Sequence, residues 1–282
     1  MNEQPVVTYE PDNSLKKGYF LIFKEILDEF KANRWLTYQL FRRNFFSMYR
    51  QSFVGILWTV ILPIVNVGIF LLLNRSGIFN FGDITAPYPV FAICGMAFWQ
   101  VFAAGLTSCG NSLMSAGEMI TRINFSKKSL VIAPIGKTIV SFAIQLILIG
   151  ILLIIYRTMP SPAALLLPIV IVPILLLTIG LGFIVALLNA VVRDTGNLLT
   201  LGIGFLMYLT PVLYAKPRIG ILSSITEFNP MYYFVSAGRD LVLTGQITEM
   251  RGFIFSTIFS VCVFVAALVM FHLTETRIAE RI

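Results

Sequence analysis

Residues able to do chemistry are sparse in this chain and sit where bond-making is hard to run. Cys94, Cys109 and Cys262 are unclustered and fall inside apolar runs. They neither frame a disulfide scaffold nor offer metal-ligand spacing, and read as small buried hydrophobes. His272, the single histidine, closes an apolar run and reads as an interfacial residue rather than a proton relay. Gly136-Lys137-Thr138 looks like the end of a phosphate-binding loop, but G-x-x-x-x-G-K-[ST] needs glycine at position 131, where valine stands. Asn124-Phe125-Ser126 fits a glycosylation sequon, yet falls on the side that charge assigns to the cytoplasm. No catalytic residue, no metal site and no cofactor bound by this chain is expected.

The elements that carry these residues are apolar stretches: Phe53–Leu73, Pro89–Leu113, Leu130–Tyr156, Ala163–Val191, Leu198–Leu213 and Phe253–Leu273. Most reach the ~20 residues that a helix needs to cross a ~30 Å hydrocarbon layer. The fifth is shorter and ends at the break Thr210-Pro211. With 57% hydrophobic and 12% charged residues and a mean hydropathy of +0.84, the chain is a polytopic, all-α membrane protein rather than a soluble one. The expected architecture is six transmembrane helices, an N-terminal amphipathic interface helix, and short re-entrant helices between spans five and six. Residues 1–282 read as one transmembrane domain: a cytoplasmic amphipathic region over 1–50, a six-span core over 51–273 and a cytoplasmic tail over 274–282.

Charge sets the orientation. Of the 21 Lys and Arg residues, 14 fall before span one, between spans two and three, between four and five, or after six. The positive-inside rule puts that side, with both termini, in the cytoplasm. The pI of 9.4 is therefore a topology signal with attraction for anionic lipid, and no nucleic-acid partner is expected. No cleavable signal peptide is expected either, since the first ~50 residues are polar and amphipathic. Lys137 is the only charge inside a span, and it lies close enough to the cytoplasmic end to snorkel. The spans lack the mid-membrane acids that mark ion-gradient carriers.

Three segments between the spans stand out. Tyr19–Phe30 has Phe20, Phe23, Leu27 and Phe30 at helical spacing, opposite Lys24, Glu25, Asp28 and Lys31. It reads as an interfacial anchor, with a docking surface for a cytoplasmic partner as the sharper alternative. Gly117–Lys128 is a short polar segment in which Met119, Ile120 and Ile123 make a small apolar face and Glu118, Arg122 and Lys127 are exposed. Between spans five and six, Pro211 breaks a helix, Asn229 can cap a new one starting at Pro230, and Gly245 can end it. That helix, about Pro230–Leu243, is too short to span. It reads as re-entrant or interfacial, with Arg239 and Asp240 as a polar pair near the surface.

These residues carry a resemblance. Tyr49-Arg50-Gln51-Ser52-Phe53-Val54-Gly55-Ile56-Leu57-Trp58 with Pro63, the loop ending Ile123-Asn124-Phe125, and Val192-Arg193-Asp194 all resemble the permeases of ABC-2-type exporters. So do Thr210-Pro211-Val212-Leu213-Tyr214 and Phe228-Asn229-Pro230-Met231-Tyr232-Tyr233-Phe234…Gly238-Arg239-Asp240…Gly245. The motifs follow in order over about residues 35–273, and the branch most similar exports lipid-linked polysaccharides: O-antigen, capsule and teichoic acid. Ser126 stands where that branch usually has proline.

The resemblance implies a channel-forming homodimer in a bacterial inner membrane, bound to two copies of a cytoplasmic ABC ATPase that uses ATP and Mg. The cargo it implies is a polysaccharide on a lipid pyrophosphate. It assigns Glu118, Ile120, Arg122 and Phe125 to ATPase coupling, and makes Arg42, Arg43 and Arg50 candidates for meeting the pyrophosphate at the cytoplasmic entrance, against a purely topological role as the plainer reading. Pro211, Tyr214, Asn229, Pro230, Tyr232, Tyr233, Arg239 and Asp240 fall in an outer gate, the alternative being a headgroup-level anchor. Trp58, Phe91, Phe98, Trp99, Phe102 and Tyr208 become candidates for lining the channel, against packing as the plainer reading. An ABC-2 permease for another cargo (a drug or a sugar-free lipid) and an ion-gradient carrier remain as alternatives.

Overall fold

Apolar runs that face lipid must satisfy their backbone polar groups within themselves, and a helix does this segment by segment. The computed structural model describes residues 19–50, 57–76, 84, 86–116, 126–192, 194–217 and 219–278, and among them there is no strand. At one end of the bundle lie the helices α1 (Tyr19–Ala32), α2 (Arg34–Arg50), α5 (Ser112–Ser115) and α6 (Lys127–Ile132). The long apolar helices are α3 (Trp58–Arg75), α4 (Tyr88–Gly110), α7 (Ile135–Ile155), α8 (Leu167–Val191), α9 (Thr195–Leu209) and α12 (Met250–Ile278). At the opposite end lie α10 (Ile221–Phe228) and α11 (Pro230–Leu243). The chain is a polytopic all-α membrane protein.

Four segments are long and apolar enough to cross a bilayer: Tyr88–Gly110, Lys127–Ile155, Pro162–Val191 and Met250–Glu275. The other two expected spans are shorter apolar helices, Trp58–Leu73 and Thr195–Leu209, about 24 and 22 Å long at 1.5 Å per residue. Residues 53–56, where the first span was expected to begin, lie outside the described residues. The fifth stops early for a local reason. Proline disfavours helical backbone in the residue before it, and Thr210 accordingly turns to φ −99°, ψ 128°.

α8 lies between α4 and α12, α7 flanks α4, α3 crosses α4 and α7, and α9 rests on α4 and α8. Gly180 sets the approach of α8 to α12: a Cβ there would stand 2.8 Å from the Phe264 Cα. One buried cluster, around Phe98, Ile174 and Phe234, fills the middle and the half that holds α11. A second, around Leu113, Phe183 and Phe271, joins α1 and α2 to the opposite end.

One expectation about burial changes: Cys94 and Cys109 are buried, but Cys262 is exposed on the outside of α12. On α1, Ile26 is buried while Leu27 is 57% exposed, which leaves Leu27 on the side away from the protein.

Candidate functional site

The end that holds α10 and α11 is built around two proline breaks tied together by one amide. Asn229 Oδ1 accepts from the Met231 N–H at 3.0 Å, capping α11, while its Nδ2 donates to Thr210 Oγ1 at 2.7 Å. The helix keeps the expected bounds Pro230–Leu243. It ends at Gly245, whose φ of 82° is open to glycine at little steric cost and lets its N–H reach the Asp240 carbonyl at 2.7 Å.

Arg239 is not the surface member of a polar pair; it is 7% exposed. Its guanidinium stacks 3.5 Å from the Phe91 ring centroid and donates from Nη2 to the carbonyls of Val212 at 2.8 Å and Pro211 at 3.3 Å. Gly95 makes the room, since a Cβ there would collide with the Val212 carbonyl and with Nη2. Asp240 turns the other way and accepts from the Thr248 N–H at 2.8 Å. Adjacent helix positions do not face each other, so the two side chains separate.

Tyr232 donates to Glu249 Oε1 at 2.7 Å, and Lys216 Nζ reaches the same oxygen at 3.0 Å. Burial first, then the bond to Glu249, pushes the Tyr232 hydroxyl well above the usual phenol range. Tyr233 meets the Tyr232 ring edge to face at 5.0 Å and donates to the Glu227 carbonyl at 2.9 Å. Tyr214 donates to the Tyr208 carbonyl at 2.6 Å, closing the turn around Pro211.

At the opposite end, beside α1, a buried ion cluster joins three elements. Lys128 of α6 is fully buried and contacts Glu29 of α1 at 2.5 Å and Glu275 of α12 at 2.6 Å. His272 stands 3.7 Å from Glu275 and 3.8 Å from Glu25. Glu29, His272 and Glu275 converge as metal ligands do, but the Lys128 ammonium already lies against both carboxylates. Lys127, read as exposed, instead donates to the Glu275 carbonyl at 2.5 Å. Glu118, Ile120, Arg122 and Phe125 lie outside the described residues. Arg42 and Arg43 are exposed on α2, with Arg42 5.9 Å over the Phe46 ring, and Arg50 closes that helix.

The aromatic candidates divide by position. Phe98, Trp99 and Phe102 are buried in the core of the chain, Phe98 against Phe142 at 5.4 Å, so they present no surface to a channel. Phe91 is half-buried beneath Arg239. Trp58 and Tyr208 are 47% and 65% exposed.

What faces open space on α4 is a side on which polar residues are interspersed with alanines. Gln100, Ala104, Thr107, Ser108 and Asn111 recur at helical spacing and line three contiguous cavities of about 190, 330 and 400 Å³. The first also touches Trp58, Thr138, Ser141 and Gln145; the second touches Thr200 of α9; the third touches Arg43 and Asn44 of α2. Lys137 borders both the first and the third. No carboxylate lines any of them among the described residues. The polar positions 100, 107, 108 and 111 were available in the sequence, beside the aromatic stripe on the same span.

A multi-pass helical membrane protein with a polar furrow along one central helix is the class this geometry defines. Residues 36–243 match the ABC-2 type transporter family, and the chain belongs to it. It is similar to the O-antigen export system permease protein RfbA of Myxococcus xanthus, 24% identical over 264 residues, covering 91% of this chain and 99% of that protein. It is also similar to two O-antigen export system permease proteins of Klebsiella pneumoniae. They are 28% and 27% identical over 239 residues, 82% of this chain and 89% of each.

Proposed function

We propose that the chain is the channel-forming subunit of an ATP-driven exporter that moves a lipid-linked polysaccharide, O-antigen, from the cytoplasm across the bacterial inner membrane. Two copies form the conduit with both termini in the cytoplasm. Two copies of a separate ABC ATPase bind ATP and Mg and drive it through Glu118, Ile120, Arg122 and Phe125. This chain binds and guides, and hydrolysis belongs to the partner.

The observation that carries the reading is the α4 furrow, in which amides and hydroxyls are interspersed with apolar side chains over an end bearing Arg43 and Lys137, with no acid among the described lining residues. Such a wall exchanges hydrogen bonds with sugar hydroxyls without holding any one residue tightly, which a sliding polymer requires. The names of the relatives support the cargo. The lack of carboxylates among the described residues of the furrow favours an ATP motor over an ion gradient.

Deletion of the gene in its host tests this. Surface polysaccharide should be lost while lipid-linked polymer accumulates inside. Wild-type permease with its ATPase should restore export, and the same pair with an ATPase unable to hydrolyse ATP should not. Normal surface polysaccharide in the deletion strain would reject the cargo, and restoration by the inactive ATPase would reject the motor.

A further inference from the structure

Four polar residues interrupt the apolar sequence of α7 at helical spacing: Lys137, Thr138, Ser141 and Gln145. They share one face of the helix, and all four line the cavity of about 190 Å³ that α7 encloses with α3 and α4. The stripe is costly there, because a polar group drawn into an apolar span without a partner is unfavourable. Gln145 carries most of that cost. It lies in the middle of α7 at 3% exposure, and its Oε1 has no hydrogen-bond partner among the described residues.

A second acceptor belongs to the same wall. Pro63 has no N–H to give the carbonyl four residues before it, that of Thr59, and both residues line the cavity. Acceptors left without their donors call for a ligand that donates more than once. A cationic donor is disfavoured, because the Lys137 ammonium borders the same space and no carboxylate among the described lining residues offsets it. The donors are therefore neutral, hydroxyl or amide. Leu62, Val101 and Phe142 line the rest of the cavity beside Trp58, which is 47% exposed. A cyclic polyol meets both demands, since its hydroxyls lie around the rim of the ring and its C–H faces pack on aromatic and aliphatic carbon. The volume is below the roughly 300–1,000 Å³ of sites for drug-sized ligands, so it admits one ring rather than a run of them.

We propose that this cavity seats a single sugar residue of the exported polymer, with Gln145 selecting it by accepting a hydroxyl or N-acetyl proton and Trp58 as the surface its ring lies on. The inference rests on the export reading and adds to it a point of selection beside the furrow. Gln100 borders this cavity and the next one, so a residue seated here is continuous with polymer lying along α4. Neutral hydrogen bonds and one ring face hold it weakly, and the chain still slides.

The test uses the full-length chain in phosphatidylcholine nanodiscs and, as probe, the host's surface polysaccharide cut from its lipid by mild acid. Saturation-transfer NMR reads weak binding of this lipid-free polymer. Wild-type protein should bind it, and Gln145→Leu should weaken binding about tenfold. The same variant should keep or raise the melting temperature, because it removes an unpaired buried amide. Trp58→Ala should weaken binding as well, and Trp58→Phe, which keeps an aromatic face, should stay within about threefold of wild type. No binding by wild type, or equal binding by Gln145→Leu, overturns the proposal. So does a lowered melting temperature in Gln145→Leu, which would assign the amide to the fold. If the deletion strain still loses its surface polysaccharide, such a failure leaves the export reading intact; retention of that polysaccharide would reject the export reading itself.

Discussion

The Arg239 guanidinium donates to the Val212 carbonyl at 2.8 Å while stacking 3.5 Å from the Phe91 ring. One side chain of α11 thus holds both the unwound segment after α9 and the first turn of α4. The carbonyls at Pro211 and Val212 have left helical geometry and lie buried, so they need a donor from elsewhere. Arg239→Ala should strand them and lower stability by about 3 kcal/mol. Arg239→Lys, without a planar face for Phe91, should recover only part of that. Gly95→Ala should destabilise as well, because its methyl would displace the same carbonyl. Thermal unfolding of the purified protein measures all three, and an Arg239→Ala variant as stable as wild type would refute the bracing role.

Lys128 joins segments far apart in the chain. It is fully buried against Glu29 and Glu275, and breaking a buried ion cluster from one side leaves charge uncompensated, at about 3–5 kcal/mol. Lys128→Met alone should therefore unfold the inner end at lower temperature. Combining it with Glu29→Gln and Glu275→Gln should restore most of the loss, since the remaining groups are then neutral. A triple variant no better than the single one would show that the charges are not the reason for the burial.

Tyr232 and Tyr233 separate a gate from an anchor. Their hydroxyls tie α11 to Glu249 and to the Glu227 carbonyl, and the ring of Tyr233 covers Gly252. With both replaced by alanine, a gate should leak small solutes through the resting transporter, whereas an anchor should only lose stability. Solute efflux from loaded proteoliposomes reads the difference; a tight, fully inserted double variant would reject the gate.

Topology is checked by single-cysteine labelling in a chain whose exposed Cys262 has been changed to serine. Reagent outside intact cells should reach a cysteine at Ser223 on α10 and miss one at Ser126, just before α6. Labelling at position 126 from outside would invert or abandon the six-span arrangement.

Local features of this protein were legible from sequence because their physics is local. Asn229, Pro230 and Gly245 cap, start and stop α11 within one stretch of chain, and each acts through its own backbone preference. The apolar runs announced helices of membrane length because an unsatisfied peptide group in hydrocarbon is prohibitive whatever the neighbours are. Tertiary structure alone decided which faces and charges were hidden. Lys128 meets partners 99 and 147 residues away, a pairing that no spacing rule reaches. Arg239 is buried because α4 supplies Phe91 and the gap at Gly95. On α4 the sequence displayed both an aromatic and a polar face. The packing of α7, α8 and α11 against the aromatic one left Gln100, Thr107, Ser108 and Asn111 to line the furrow, since only the neighbours determine which side of an apolar helix remains open.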